Sequence, residues 1–294
     1  MKQMNTNLLK SFHQLAEAGK LSGIFADVNG DQYHRELPGV SKTDIEYASW
    51  SLANMVARKN REETDSDALM IGKLLHSRIE LHKNLEEYRK LFVAKPKFTG
   101  SGARAASEEW ELAYKGHTIL TEAQEADIES MFAGVIANPQ SRAIVEADGK
   151  YEETIFWTDR DSGVLCKCRP DKRVPDFLGQ PLIADWKTIG QFSKRNIQDA
   201  IADHHYHVSA AFTIDGLKAV GIDPGPYVFV FIEKGEPNRV LCVPANDIDV
   251  ELGRRKYKKV LMQIAEAQKT GVWPGFADIG MHDWVRQREM EALA

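Results

Sequence analysis

Apolar positions recur with two periods along the chain, and the change of period separates helices from strands. Leu8, Leu9, Phe12 and Leu15 share one helical face, which predicts a short amphipathic helix over residues 5–18, docked on its own domain or on a neighbouring subunit. Residues 19–31 read as loop. Ser41 followed by Asp44 is a helix-start signal, and the spacing predicts a helix of about eighteen residues through Trp50 and Met55. Asp67 opens the next helix, carrying Met70, Ile71, Leu74, Leu75, Ile79 and Leu81. Gly72 in its interior costs roughly 1 kcal/mol against alanine, which points to close approach of another backbone. Residues 95–117 are poor in large apolar side chains, so they read as a mobile flap or a disordered loop. Thr121 with Gln124 caps a helix whose buried stripe is Ile128, Met131, Phe132, Val135 and Ile136.

The period then falls to two. Residues 151–158 and 164–169 alternate around Asp159-Arg160-Asp161-Ser162-Gly163, which predicts a hairpin. Pro170 breaks the second strand and leaves Asp171 at its end, and residues 175–179 turn into a strand over Leu182 to Thr188. A helix is predicted over residues 196–220, with Ile197, Ile201, Val208, Phe212 and Leu217 inward. An apolar strand over residues 227–232 pairs with residues 240–243. A closing helix over residues 247–269 buries Tyr257, Val260, Leu261 and Ile264. Its first half carries Arg254, Arg255, Lys256, Lys258 and Lys259, either a solvated face or a nucleic-acid patch.

Charge narrows the function classes. The 294 residues carry a formal net charge of -5, so any nucleic-acid contact must come from local basic patches. Three cysteines are too few for a disulfide scaffold and suit a reducing compartment. Cys166 and Cys168 face one layer of a strand and read as small buried hydrophobes. No apolar run approaches the ~18 residues of a membrane span. Residues 1–20 lack the apolar core of a signal peptide, so a cytoplasmic location without membrane attachment is expected.

The candidate chemistry centres on Asp185-Trp186-Lys187. Side chains two apart on a strand share a face, so a carboxylate and an ammonium are placed together in a core strand. That is costly unless they pair or hold a metal. Asp171 lies upstream in Lys167-Cys168-Arg169-Pro170-Asp171, and alternation puts Lys167, Arg169 and Asp171 on one face, with both cations placed to clamp a flanking phosphate. Two carboxylates, a lysine and a divalent ion suit phosphodiester cleavage. His76, one turn after Gly72, reads by itself as a packed core histidine. His204, His205 and His207 have no cysteine or H-E-x-x-H companion that would support zinc.

The order of helix, three strands, helix and further strands, with D…D-x-K on the strands, resembles the PD-(D/E)XK nuclease core. From Tyr33 onward the segments Y-H-R-E-L-P-G-V-S-K-T-D-I, I-G-K-L-L-H, E-E-T-I-F-W-T-D, K-C-R-P-D, D-W-K-T, Y-H-V-S-A-A-F and W-P-G-F follow the order seen in exonuclease VIII (RecE) nucleases. The resemblance implies an α/β fold with an αβββαβ restriction-endonuclease-like core, a central mixed sheet flanked by helices. Residues 1–32 would be an N-terminal extension and residues 33–294 one nuclease domain with a mobile loop near 95–118. It further implies His76, Asp171 and Asp185 as metal ligands, Lys187 as catalytic lysine, the Trp186 carbonyl as a further ligand, and Glu152 (in preference to Glu153) as an outer or second-metal ligand. Mg²⁺ fits such oxygen donors, and the imidazole also admits Mn²⁺.

Lys73, Arg104, Lys167, Arg169, Tyr206 and Ser209 are the candidate DNA contacts. Ser209 and Thr213 stand where that family carries glutamine and tyrosine, a departure that bears on DNA-end contacts. The implied activity is exonucleolytic, 5′→3′ on linear duplex DNA, leaving 3′ tails for a single-strand annealing protein, from a homo-oligomeric ring. The alternatives are an endonuclease or single-strand nuclease of the same fold, or a DNA-end-binding module with little catalysis.

Overall fold

The structure, a computed structural model, describes residues 6–26, 28–59, 61, 66–276 and 280–293. Helix α1 (Thr6–Glu17) forms as predicted, although the Leu8 side chain and residue 5 lie outside the described residues. Its Phe12 ring sits 5.0 Å from Phe25 and 5.5 Å from Phe156, so α1 docks on its own chain. The following segment is not all loop: β1 (Gly23–Phe25) lies within it and α2 (Gly30–Arg35) begins in it. Ser41 and Asp44 form the anticipated capping box on α3 (Lys42–Trp50), but the helix stops short. Ser51 is extended and its hydroxyl accepts from Asn54 N–H, so it starts a second helix, α4 (Leu52–Lys59). A serine that offers its oxygen to the backbone competes with helix continuation.

Helix α5 (Asp67–Glu80) follows its predicted bounds, and α6 (Leu85–Arg89) succeeds it. The reason offered for Gly72 does not hold, because an added Cβ would meet nothing within 4 Å. The segment expected as flap or loop is also ordered differently. Strands β2 (Val93–Lys95) and β3 (Ile119–Thr121) pair in parallel around α7 (Ala103–Ala113), which buries no residue. Alanine-rich composition and an Arg104–Glu108 pair one turn apart supply helix propensity without an apolar stripe. Helix α8 (Glu122–Ala137) has the Thr121–Gln124 box and buries Ile128, Met131 and Val135, and Asn138 then caps α9 (Pro139–Glu146).

Strands β4 (Lys150–Tyr151), β5 (Thr154–Thr158), β6 (Leu165–Cys168), β7 (Lys172–Phe177) and β8 (Gln180–Ile189) come next. The predicted β5–β6 hairpin is present, with Ile155 opposite Cys168, but its first strand is shorter than the 151–158 expected, because Lys150–Tyr151 pairs with β7 instead. It belongs to a separate sheet, ordered β1-β5-β6. Strand β7, read as a turn because of Pro175, is the antiparallel neighbour of β8, and Pro175 falls at a shift in register between Val174 and Phe177. A proline is tolerated where the ladder is already interrupted. The predicted helix over 196–220 is two, α10 (Lys194–Asp203) and α11 (Tyr206–Ala219), parted where His205 takes φ 53°. Strands β9 (Tyr227–Glu233) and β10 (Val240–Pro244), then α12 (Asp247–Thr270) and α13 (Asp283–Ala292), complete the chain.

The second sheet runs β10-β9-β8-β7-β4, with β8 and β9 parallel and the other pairs antiparallel. It is the mixed sheet expected at the centre of the fold. Alternation along β8 sends Ile183 and Ile189 into a core shared with α3, α4, α11 and α12, and Leu182, Ala184 and Trp186 into a core shared with α5, α8 and α9. None of the described helices is long and apolar enough to cross a membrane.

Most of the cationic run on α12 is used in packing. Arg254 pairs with Asp215 and Glu251, Arg255 with Glu251, and Lys258 with Asp159 and Asp161, while Lys256 reaches the His205 ring. The pairs with Glu251 lie within α12; the contacts to Asp215 and His205 bind it to α11 and its start, and those to Asp159 and Asp161 bind it to the β5–β6 turn. Helix α12 approaches α11 closely at Gly253, where an added Cβ would lie 2.3 Å from the His207 carbonyl oxygen. Gly253→Ala is therefore expected to cost about 1–3 kcal/mol through overpacking, read as a lower denaturant midpoint. An unchanged midpoint would contradict this packing.

Candidate active site

Asp185 and Lys187 lie mid-strand on one face of β8, and the Lys187 Nζ is 2.7 Å from both Asp185 oxygens. Only Oδ1 receives a well-directed hydrogen bond; the buried Oδ2 has no hydrogen-bond partner. The β7–β8 register, Lys172 opposite Ala184, brings Asp171 level with the next β8 residues. Its Oδ2 accepts from Trp186 N–H at 2.7 Å, which leaves Oδ1 free of the backbone. Helix α5 presents His76 across the same point: Nε2 is 3.0 Å from the Trp186 carbonyl oxygen and Nδ1 is 3.6 Å from Asp171 Oδ1. Glu152, between β4 and β5, takes φ 52° and donates its N–H to the Asp171 carbonyl. Among the described residues, His76, Glu152 and Asp171 form a cluster whose ligand atoms lie within 4.8 Å of one another.

These donors suit a hard divalent cation. An imidazole, up to three carboxylates and a backbone carbonyl are the mix that Mg²⁺ or Mn²⁺ accepts, and the unpartnered Asp185 Oδ2 is a buried acceptor left for it. Glu152 has a second bond, to Arg169 Nε at 2.5 Å, and Arg169 also donates to the Val28 carbonyl at 2.7 Å. Glu153 is turned away and pairs with Arg173 at 2.8 Å, which decides between the two adjacent glutamates.

Electrostatics follow from burial. The Asp185 carboxyl is pushed up to about 6, chiefly because burial disfavours its charge and also because Asp171 repels it, with Lys187 opposing. Burial alone would lower Lys187, but the charges of Asp185 and Asp171 outweigh it and hold the ammonium above its ordinary value. The Tyr206 ring lies 5.2 Å from that ammonium. His34, on the facing wall, is lowered to about 4, first by burial and then by Lys73, Lys167 and Arg169, so its imidazole is neutral near pH 7.

The site opens into a cleft of about 570 Å³ walled by α2 and its approach (Asn29, Asp31, His34), α5 (Lys73, Ser77, Glu80), the start of α3, and α11 (Tyr206, Ser209, Thr213). Of the candidate DNA contacts, Lys73, Arg169, Tyr206 and Ser209 line it. Lys167 does not. Its buried ammonium donates to the carbonyls of Tyr33 and Leu37, both at 2.6 Å, so it props the α2 wall instead of offering charge to phosphate. Alternation put it on the correct face of β6, but that face is covered by the α2 segment. Arg104 is on α7, paired with Glu108 and outside the cleft. Cys166 and Cys168 are buried, as their strand position suggested. His34 and Tyr227 border the cleft without having been singled out in the sequence. The only signal was His34's place in the Y-H-R-E segment, and Tyr227 was hidden in an apolar run.

No curated protein matches the sequence. A solved structure from Eubacterium rectale, described as a "putative exonuclease", superposes with a TM-score of 0.58 over 98% of this chain and 94% of its own at 13% identity, a likeness of fold. The structure of SSO0001, at 17% identity over 66% of this chain and 86% of its own, has a TM-score of 0.32, too low to carry weight. The family described as "PDDEXK-like domain of unknown function (DUF3799)" matches residues 45–283, most of the chain, including His76, Glu152, Asp171, Asp185 and Lys187, and the protein belongs to that family.

Proposed function

We propose that the protein is a metal-dependent nuclease, an exodeoxyribonuclease that degrades linear double-stranded DNA from its 5′ ends. The observation that carries the nuclease reading is the convergence of His76, Glu152 and Asp171 beside the Asp185–Lys187 pair. Membership of a PDDEXK-like family supports it. The 5′→3′ feature rests on the ordered motifs shared with exonuclease VIII-type enzymes; the exonucleolytic feature rests on the same motifs and on the description of the E. rectale structure. The same resemblance supports a ring-like homo-oligomer and a single-strand annealing partner that takes the 3′ tails.

In this reading His76, Asp171, Asp185 and the Trp186 carbonyl hold Mg²⁺, with Glu152 at its margin. The ion supplies charge neutralisation at the scissile phosphate and eases deprotonation of an attacking water. Lys187 stays an ammonium, and its position on the face of Asp185 lets it offset charge that grows on the phosphate oxygens. Asp171, fixed by Trp186 N–H, keeps one oxygen directed at the site. Lys73 and Arg169 flank the path of the neighbouring phosphates.

With Mg²⁺, end-labelled linear duplex is expected to lose its 5′ label first while covalently closed circular DNA survives. Cutting of the circle would make the protein an endonuclease, and no cleavage of any DNA would end the proposal. Asp185→Asn and Lys187→Met are each expected to slow cleavage by about 10²-fold or more, measured on protein that circular dichroism shows to be folded. Acid is expected to weaken metal binding. Only ionised Asp185 is a ligand and its carboxyl sits at about 6, so affinity for Mn²⁺ falls toward tenfold per pH unit below that value. Calorimetric titrations from pH 7 down to about 5 check the sign; an affinity that rises with acid would refute it.

A further inference from the structure

We propose that Tyr227 is a positioning residue of this site: its phenol hydroxyl fixes the Asp185 carboxylate so that the oxygen not bonded to Lys187 faces the cation. This role presupposes the metal-dependent activity proposed above. Tyr227 opens β9 opposite Ile183 in the parallel β8–β9 register. Alternation therefore puts it on the face that also carries Asp185 and Lys187. It is only 4% exposed and lines the cleft together with Asp185. A phenol is an O–H donor at neutral pH.

Asp185 needs such a donor. Lys187 reaches it from two residues away on the same strand, by a long side chain, and directs a hydrogen bond to Oδ1 alone. The terminal torsion of an aspartate is broad, so one flexible donor leaves the carboxylate plane poorly defined. The Tyr227 ring is a stiffer support. It packs 5.1 Å from Phe229, and the Tyr227 carbonyl accepts from Ala245 N–H at 2.7 Å.

Tyr227→Phe keeps the ring and removes only the hydroxyl. Direct calorimetric titration with Mn²⁺ is expected to show about a tenfold or greater loss of affinity, the range for an outer-shell partner of a metal ligand. The melting midpoint and metal-free DNA binding should stay at wild-type values. In an Asp185→Asn background the same change should add less than about twofold, because its effect runs through Asp185. Unchanged Mn²⁺ affinity in Tyr227→Phe, or a full additive loss in the double variant, overturns the role of Tyr227 and leaves the nuclease proposal standing. A wild-type protein that binds no Mn²⁺ removes both. Tyr227→Met, which also lacks the hydroxyl, is expected to reproduce the loss; wild-type affinity there overturns the role even if the phenylalanine variant folds poorly.

Discussion

A carboxylate and an ammonium on one face of an interior strand set the terms for the rest of this structure. Desolvating Asp185 and Lys187 is expensive, and the 2.7 Å contacts between them offset part of that cost. The compensation is incomplete, because one Asp185 oxygen stays buried without a hydrogen-bond partner and the carboxyl is driven up toward neutral pH. A strand in this condition is stabilised by a cation. The neighbouring elements supply further donors at the same point: Asp171 from just before β7, His76 from α5 and Glu152 from the turn before β5.

The backbone of Trp186 connects these parts. Its indole is buried in the core under α5, α8 and α9, its N–H holds Asp171, and its carbonyl faces His76. Packing on one side of the sheet thus fixes the polar groups on the other. A change that shifted Trp186 would move two candidate ligands together, which ties the precision of the site to the density of the core.

Positive charge is spent sparingly in the cleft. With a net charge of -5, the protein commits many of its cations to holding its own elements in place. Lys167 caps the carbonyls at the end of α2, and Lys172 is buried against the carbonyls of Val145 and Ala147 and the Tyr151 hydroxyl. Arg254 and Lys258 fasten α12. The cations that line the cleft are a short set, including Lys42, Lys73, Arg169 and Lys187, and the proposed substrate would meet them over a few phosphates near the centre.

Local signals in the sequence were sufficient wherever the physics is local. The Ser41–Asp44 and Thr121–Gln124 caps, the β5–β6 hairpin, and the shared face of Asp185 and Lys187 all follow from turn chemistry or a period of two, and all are present. The motif order also brought out His76, which its own surroundings would have left as a core histidine. Tertiary structure decided the rest, because each case turned on what a distant segment covers. Pro170 looked like the end of one strand, yet the chain changes sheets there and Asp171 immediately precedes the next. Lys167 and Arg169 share a strand face, but the α2 segment takes up the first while the second reaches the cleft. Glu152 and Glu153 differ only in which way a left-handed backbone turns them, and that turn is set by the pairing of β4 with β7 on one side and β5 with β6 on the other.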